Sequence, residues 1–265
     1  MSFPQKPVSE SVLGFSIATN SFTEQIDLIM HWAHRRLSRV VCVANVHMLM
    51  EARWNESFAK VLKHADLLTP DGMPLVWTLN LLRKSAHDRV AGMYILLEVC
   101  RRASACNLPV YFLGTDELTL GRMRQQLAID FPALTIAGME PLPFRPLSPE
   151  EDAQVVRTIN ESKAGVVFVA LGCPKQEAWM YSHRNQIHAA MVGVGGVFPI
   201  YAGIKKHAPT WVQESGLEWL YRLIQEPGRL WQRYFKTIPP FIYLSMKQVV
   251  TTRLQRRIHR MLRMS

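Results

Sequence analysis

Several features are scarce or missing in this 265-residue sequence. It has four cysteines, Cys42, Cys100, Cys106 and Cys173, and no C-x-x-C pair. That argues against zinc-ribbon and thioredoxin-type chemistry, and free thiols suit a reducing compartment. No apolar run reaches the roughly 18 residues of a membrane span. The opening MSFPQKPVSE lacks the charged-then-apolar layout of a secretory signal, so a cytoplasmic protein is expected. There is no D-x-D motif to hold a divalent ion and no serine nucleophile elbow. His31 and His34 stand three apart on a helical pattern with no partner cluster, so a surface or core role is expected and no metal site. GVGG at 193–196 falls short of G-x-G-x-x-G, because Phe198 stands where the last glycine belongs. Pro199 follows at once, which argues against a helix opening there. No cofactor is therefore expected.

Acidic residues are also missing after Glu226. That segment holds nine cations: Arg229, Arg233, Lys236, Lys247, Arg253, Arg256, Arg257, Arg260 and Arg263. The net charge is +10, so the first 226 residues are close to neutral. A basic end of this kind seeks a polyanion: an anionic membrane surface, nucleic acid or a phosphorylated substrate. No aromatic–basic module of a nucleic-acid fold accompanies it, so nucleic acid is not an expected partner.

What is present is an alternation. RVVCVANVHM (39–48) reads as a buried strand ending at Asn45, and ADLLTPDG (65–72) as a short strand ending at Asp71. LPVYFLGTDE (108–117) ends at Gly114 and leads into a helix-start signature. AGVVFVALGCPKQEAWM (164–180) repeats the plan around Gly172, and AAMVGVGGVF (189–198) runs into glycines. Helical patterns at 117–129 and 150–162 lie between, and the proline-rich 139–150 reads as a loop. Strands alternating with helices predict an α/β fold: a Rossmann-like parallel sheet flanked by helices. Ligands then bind off the carboxyl ends of the strands, so Asn45, Asp71, Gly114, Gly172 and Gly195 are expected on one rim. From Gly216 the sequence turns helical, aromatic and arginine-rich, which predicts a core over 1–210 and a helical basic appendage over 211–265.

Three stretches could carry chemistry. In LGCPKQE a glycine turn precedes a helix start, where backbone N–H groups favour an anion; Lys175 adds charge and Gln176 both donates and accepts. An ordinary capped turn explains the same residues. Asp71 sits between Pro70 and Gly72 on a turn before a buried helical run. A carboxylate there could be a general base or simply the N-cap of that helix. On a helix over 249–263, Val250, Leu254, Ile258 and Met261 share one side and Arg253, Arg256, Arg257 and Arg260 a neighbouring face. That pattern fits a helix lying on anionic lipid, and equally a helix packed on the core with a solvated basic face.

Taken in order, ANVHMLMEAR, LLTPDGMPLVW, RVAGMYIL, VFVALGCPKQEAWM, GVGGVF and HAPTWVQESGLEWLYRLIQEPGRLWQRY resemble the WecG/TagA/CpsF glycosyltransferases. The resemblance implies an inverting enzyme that moves a sugar from a UDP-sugar to a polyprenyl-diphosphate-linked saccharide at the inner face of the cytoplasmic membrane. It implies a Rossmann-like core, no metal, and an appendage that binds the membrane and completes the site. By motif, Asp71 matches the catalytic base, and Arg89 and Gln176 match residues important for activity. Substrate contacts are expected from Asn45, Gly72, Gly114, Gly172, Pro174, Lys175, Gly195 and Gly196, with Arg222, Arg229 and Arg233 reaching the diphosphate. Three positions depart from the pattern: Val43 replaces a threonine, Gln232 an arginine and Pro199 an aspartate. The alternatives are a nicotinamide-dependent oxidoreductase and a non-catalytic basic protein that docks on membranes. The sugar is not specified, and self-association into a homo-oligomer is left open.

Overall fold

A computed structural model describes residues 7–143 and 145–262, with side chains for all of these except Glu214 and 257–262. In chain order the elements are β1 (Ser9–Val12), β2 (Phe15–Ala18), α1 (Phe22–His34), β3 (Arg39–Ala44), α2 (Val46–Trp54), α3 (Glu56–Lys63), β4 (Leu67–Pro70), α4 (Met73–Arg83), α5 (Gly92–Ala105) and β5 (Val110–Gly114). Then follow α6 (Glu117–Asp130), β6 (Ile136–Glu140), α7 (Pro149–Glu161), β7 (Val166–Ala170), α8 (Lys175–Ser182), β8 (Ala190–Gly193), α9 (Val197–Tyr201), α10 (Thr210–Glu214), α11 (Glu218–Gln225) and α12 (Pro227–Leu262).

Six strands form one parallel sheet in the order β4-β3-β8-β7-β5-β6. Its inner strands are short β-branched runs buried on both faces, as parallel strands covered by helices must be. Successive residues serve opposite faces: Val40, Cys42 and Ala44 enter one apolar core, Val41 and Val43 the other. The fold is thus the predicted α/β sheet flanked by helices. Because the strands are parallel, Asp71, Asn45, Val194, Leu171 and Thr115 follow the ends of five strands on one edge, in that spatial order. Glycine is required at Gly114, where φ is +100° and an added Cβ would stand 2.8 Å from the Ala170 carbonyl oxygen of the neighbouring strand.

Two local expectations are corrected and one element is added. The added element is a hairpin, β1–β2, before the alternation; Leu13 and Gly14 both take positive φ, the geometry of a tight two-residue turn. The loop expected over 139–150 is shorter, because β6 runs to Glu140 and α7 begins at Pro149 behind a Ser148–Glu151 capping box. A short helix, α9, does open after the glycines: Gly196 is its N-cap and Pro199 lies in its first turn, where a missing N–H costs nothing.

The C-terminal helix α12 packs against α2 and α4. Phe241 is 1% exposed and shares the core that contains Leu49 and Leu79. The Gln248 amide ties the helix to the hairpin, donating to the Ser11 carbonyl and accepting from Leu13 N–H. Arg253 and Arg256 donate to the Leu81 and Leu82 carbonyls in the last turn of α4, which lack helical partners. Val250 and Leu254 face outward. The helix is therefore docked on the core, with Arg253 and Arg256 turned to α4; the side chains of Arg257, Ile258, Arg260 and Met261 lie outside the described residues, as does Arg263.

Truncating a fully buried phenylalanine costs about 3–5 kcal/mol. Phe241→Ala is expected to lose about that much stability in urea melts; a loss under about 1 kcal/mol would mean that α12 is not part of the core.

Candidate active site

The rim is built from strand ends and the first turns behind them. Asn45 ends β3 and caps α2, its side-chain oxygen accepting from Met48 N–H. Next to it, Asp71 follows β4, with its own N–H bound to the Ala44 carbonyl. The N-cap of α4 is Gly72, with no side-chain cap bond, so the capping reading of Asp71 does not hold. Gly72 lies against Asn45; an added Cβ would meet the Asn45 Cβ at 3.6 Å.

Freed from capping, the Asp71 carboxylate turns to Arg89. The guanidinium donates to Asp71 Oδ1 at 3.0 Å and, through Nε, to the Asp71 carbonyl. It also donates to Glu218 Oε2 at 2.6 Å. Glu218 opens α11 and pairs with Arg222 at 2.9 Å one turn on. Two strand-rim residues and the C-terminal helices thus meet in one charged cluster. Burial raises the pKa of Asp71, and the neighbouring Arg89 only partly offsets this. Burial pushes Glu218 up as well, but Arg222 and Arg89 outweigh it and hold that carboxyl below its ordinary value. Beyond Arg89, a groove of about 610 Å³ runs between Phe22, Tyr94, Leu97 and Phe131.

The second arginine group surrounds Tyr234 of α12. Arg222, Arg229 and Arg233 all act on its hydroxyl, whose pKa burial raises. Arg229 is paired with Glu226, which also holds Lys205. Arg233 is different: among the described residues its buried Nε has no partner, and burial lowers its pKa. Arg233 and Lys236 also face His47 on α2, which burial and these two cations push down to about 3. His47 is neutral at pH 7, and its Nδ1 makes no hydrogen bond among the described residues; the Glu51 carboxylate stands 3.7 Å from it.

The turn after β7 carries Gly172, with φ +77°, and Pro174 and Lys175, both exposed. Gln176, expected to face substrate, is turned inward and is 4% exposed. Its amide lies beneath the strand end of β8, where Cβ atoms added at Gly193 and Gly195 would stand 3.0 and 3.2 Å from it. Gly196 follows and starts α9. Glu177, next to Gln176, is wholly buried, and burial pushes its carboxyl up to about 7. Among the described residues no group of His, Cys, Asp and Glu is arranged to hold a metal ion.

With the rim assembled, comparison with known proteins decides its chemistry. Residues 10–255 match the "Glycosyl transferase WecG/TagA/CpsF family". The chain belongs to this family. It is an enzyme, a glycosyltransferase, and the oxidoreductase and pure docking readings fall away. A relative from Bacillus spizizenii is 31% identical over 208 residues, 78% of each chain. One from Bacillus subtilis strain 168 is 25% identical over 242 residues, covering 91% of this chain and 92% of the relative. Another, from Staphylococcus aureus strain MW2, is 28% identical over 207 residues, 77% of this chain and 78% of its own. All three are N-acetylglucosaminyldiphosphoundecaprenol N-acetyl-beta-D-mannosaminyltransferases.

Four residues of the cluster were not singled out from sequence: Glu218, Tyr234, His47 and Glu177. Glu218 and Tyr234 lie inside the family stretch 207–234, and Glu177 follows Gln176 directly, so proximity to a motif was the available signal. His47 gave none beyond its place just after the Asn45 cap.

Glu177 allows a test by stability. A folded pKa of about 7, against an ordinary 4.5, means that the native state keeps a proton that the unfolded chain has lost. Stability is full below pH 4.5 and falls as pH rises toward 7, by at most about 3 kcal/mol. Glu177→Gln removes the cost, so it is expected to raise the melting temperature at pH 8 more than at pH 4.5. Equal shifts at the two pH values would contradict the raised pKa.

Proposed function

We propose that this glycosyltransferase moves an N-acetylhexosaminyl group, N-acetylmannosamine by analogy with the relatives' names, from a UDP-sugar to a polyprenyl-diphosphate-linked N-acetylglucosamine. The observation that carries the reading is the Asp71–Arg89–Glu218 cluster at the strand rim, closed by the C-terminal helices. Asp71 acts as general base. Its carboxylate takes the proton of the acceptor hydroxyl while that oxygen attacks the anomeric carbon. The bond from that carbon to the diphosphate breaks on the opposite face, and the configuration inverts. Burial makes Asp71 a better base than a solvated aspartate, and Arg89 fixes its orientation. Arg222, Arg229 and Arg233 offer the cations that stabilise the departing UDP, as charge developing in a dry site is best met by pre-placed donors. Asn45, Gly72, Gly114, Gly172, Pro174, Lys175, Gly195 and Gly196 form the wall against which donor and acceptor lie. Gln176 acts from beneath that wall.

In this reading residues 1–210 supply the base and 211–265 the cations, and the two parts work only together. The second part also faces the membrane. No helix among the described residues is long and apolar enough to cross a bilayer. Exposed Trp231, Phe235, Val250 and Leu254 beside Lys247 suit the surface of an anionic bilayer, where the lipid-linked acceptor resides.

Two outcomes are expected. Asp71→Asn should cut kcat by roughly 10²–10⁴-fold with the melting curve retained, measured by product mass with UDP-N-acetylmannosamine and a lipid-diphosphate N-acetylglucosamine; near-normal turnover sinks the base assignment. The pair Val250→Asp and Leu254→Asp should weaken sedimentation with anionic liposomes without unfolding, since both side chains are exposed. Deleting the chain from 236 onward is a poorer test, because it removes the buried Phe241 and Val249. Unchanged liposome binding in the double variant would refute docking through this face.

A further inference from the structure

Gln176 and Glu177 occupy the first turn of α8, immediately behind the rim, yet both side chains point into the protein. Gln176 Nε2 donates to Glu177 Oε1 at 2.6 Å. The two remaining oxygens, Gln176 Oε1 and Glu177 Oε2, are buried without hydrogen-bond partners among the described residues. Two unpaired acceptors side by side are costly, and a helix start needs neither of them. The amide they hold is the floor of the glycine turn. An added Cβ at Gly195 would stand 3.2 Å from Gln176 Oε1, and one at Gly193 3.0 Å from Nε2. Gly195 is held at φ +52°, so its backbone follows what lies beneath it.

We infer that Glu177 is a positioning residue for sugar transfer: its buried carboxylate orients the Gln176 amide under Gly193 and Gly195 and so sets the shape of the turn from β8 to α9. The chemistry is a matter of donors. An ionised Glu177 can only accept, so Gln176 must offer its NH₂ and present its oxygen to Gly195. A neutral Glu177 carries one O–H, whose best neighbour is the Gln176 oxygen. The other Glu177 oxygen still accepts from the Gln176 N–H, so acid and amide can close into a doubly bonded pair that draws the amide oxygen away from Gly195. One proton thus changes what the amide presents to the rim.

The groups facing Glu177 favour such a change near neutrality. Cys42 on β3 and Cys173 in the turn are its closest titratable neighbours, and burial raises both thiols, so both stay protonated. Arg233 of α12 acts on it from a distance, with His47 and Glu51 of α2 beyond. Among the described residues no cation stands within ion-pair distance of Glu177, in contrast to Asp71 beside Arg89. Burial is the main influence on its titration; the Gln176 amide, the Cys173 thiol and the distant Arg233 pull the other way, and the midpoint lies at about 7.

The inference rests on the transfer reading for its activity measurement, and one arm of the test does not. First, kcat/KM for transfer is followed from pH 5 to pH 9 in wild type and Glu177→Gln. Wild type is expected to lose activity on acidification with a component near pH 7. Glu177→Gln cannot ionise but still accepts from Gln176, so that component vanishes and the acid limb moves to lower pH, where Asp71 alone sets it. Glu177→Ala, which holds nothing, is expected to lose roughly tenfold in kcat at pH 8 with KM little changed. Coincident pH profiles for wild type and Glu177→Gln overturn the inference. Second, the side-chain NH₂ signals of Gln176, assigned by their loss in Gln176→Leu, are followed by NMR in the full-length ¹⁵N-labelled wild-type protein. They are expected to titrate with a midpoint near 7. Invariant signals overturn the inference whatever the enzyme transfers, and this arm decides even if Glu177→Gln fails to fold. Titrating signals with no transfer to the proposed acceptor would reject the proposed reaction and leave the Glu177–Gln176 switch standing.

Discussion

The contact on which the rest depends is the one Arg89 makes with two carboxylates. A carboxylate buried at a strand end is unfavourable unless a cation or several donors meet it. Asp71 gets one cation, and that cation is shared with Glu218, which lies 129 positions further along the chain. The sheet fixes Asp71, the segment before α5 fixes Arg89, and α11 fixes Glu218. Removing Arg89 leaves Asp71 without its counter-charge, which costs more than the pair contributes, and undocking α11 takes away the carboxylate that holds the other side of Arg89. The site therefore exists only when the C-terminal helices are docked. Their docking in turn rests on Phe241 and Val249 in the main core and on Arg253 and Arg256 at the end of α4.

From Asp71 the electrostatics run on through Arg222 and Tyr234 to Arg233, and from there to the turn that holds Glu177. The cluster begins with a half-buried carboxyl and ends with a fully buried one, and burial raises both. The two differ in company. Asp71 has a guanidinium on one oxygen; Glu177 has an amide and two protonated thiols. In the proposed reaction the first is the base, and the second holds its proton in a separate environment. The cost of keeping Glu177 buried is borne as stability lost as pH rises from 4.5 to about 7, a burden of the sort that functional sites carry and cores avoid.

Much of this was legible in the sequence. The strands that line the rim are continuous β-branched runs ending in glycine or a polar residue, and a fully buried parallel strand can hardly look otherwise. Asn45, Asp71, Gly114, Gly172 and Gly195 were therefore placed on one edge before any coordinate. The β1–β2 hairpin was not, because four-residue strands joined by Leu13-Gly14 leave too little pattern to read. The sequence leaves the cap of α4 open because Asp71 and Gly72 are both good N-caps, and only the backbone angles choose between them. The inward turn of Gln176 was beyond reach for a related reason. Lys175, Gln176 and Glu177 are three polar residues in a row, and no periodicity says that two of them are buried. The space that admits them is made by the missing side chains of Gly193 and Gly195 on a different strand.

The basic C-terminus shows how far a charge count carries. Nine cations without an acid after Glu226 suggest attraction to a polyanion, and in a chain this size little else would be read from them. The fold takes several of them for internal work. Arg229 is paired with Glu226, Arg233 is half-buried beneath the rim, and Arg253 and Arg256 cap α4. A cation at an anionic bilayer is worth about 1 kcal/mol, and few of the described ones remain unspent. A large apolar side chain taken out of water is worth about 1.5–3 kcal/mol. Trp231, Phe235, Ile242, Tyr243, Met246, Val250 and Leu254 are all exposed along the same helix. On a membrane, the apolar side chains would contribute the larger share of the affinity, while Arg253 and Arg256 serve the fold and, in the proposed reaction, Arg229 and Arg233 serve the departing diphosphate.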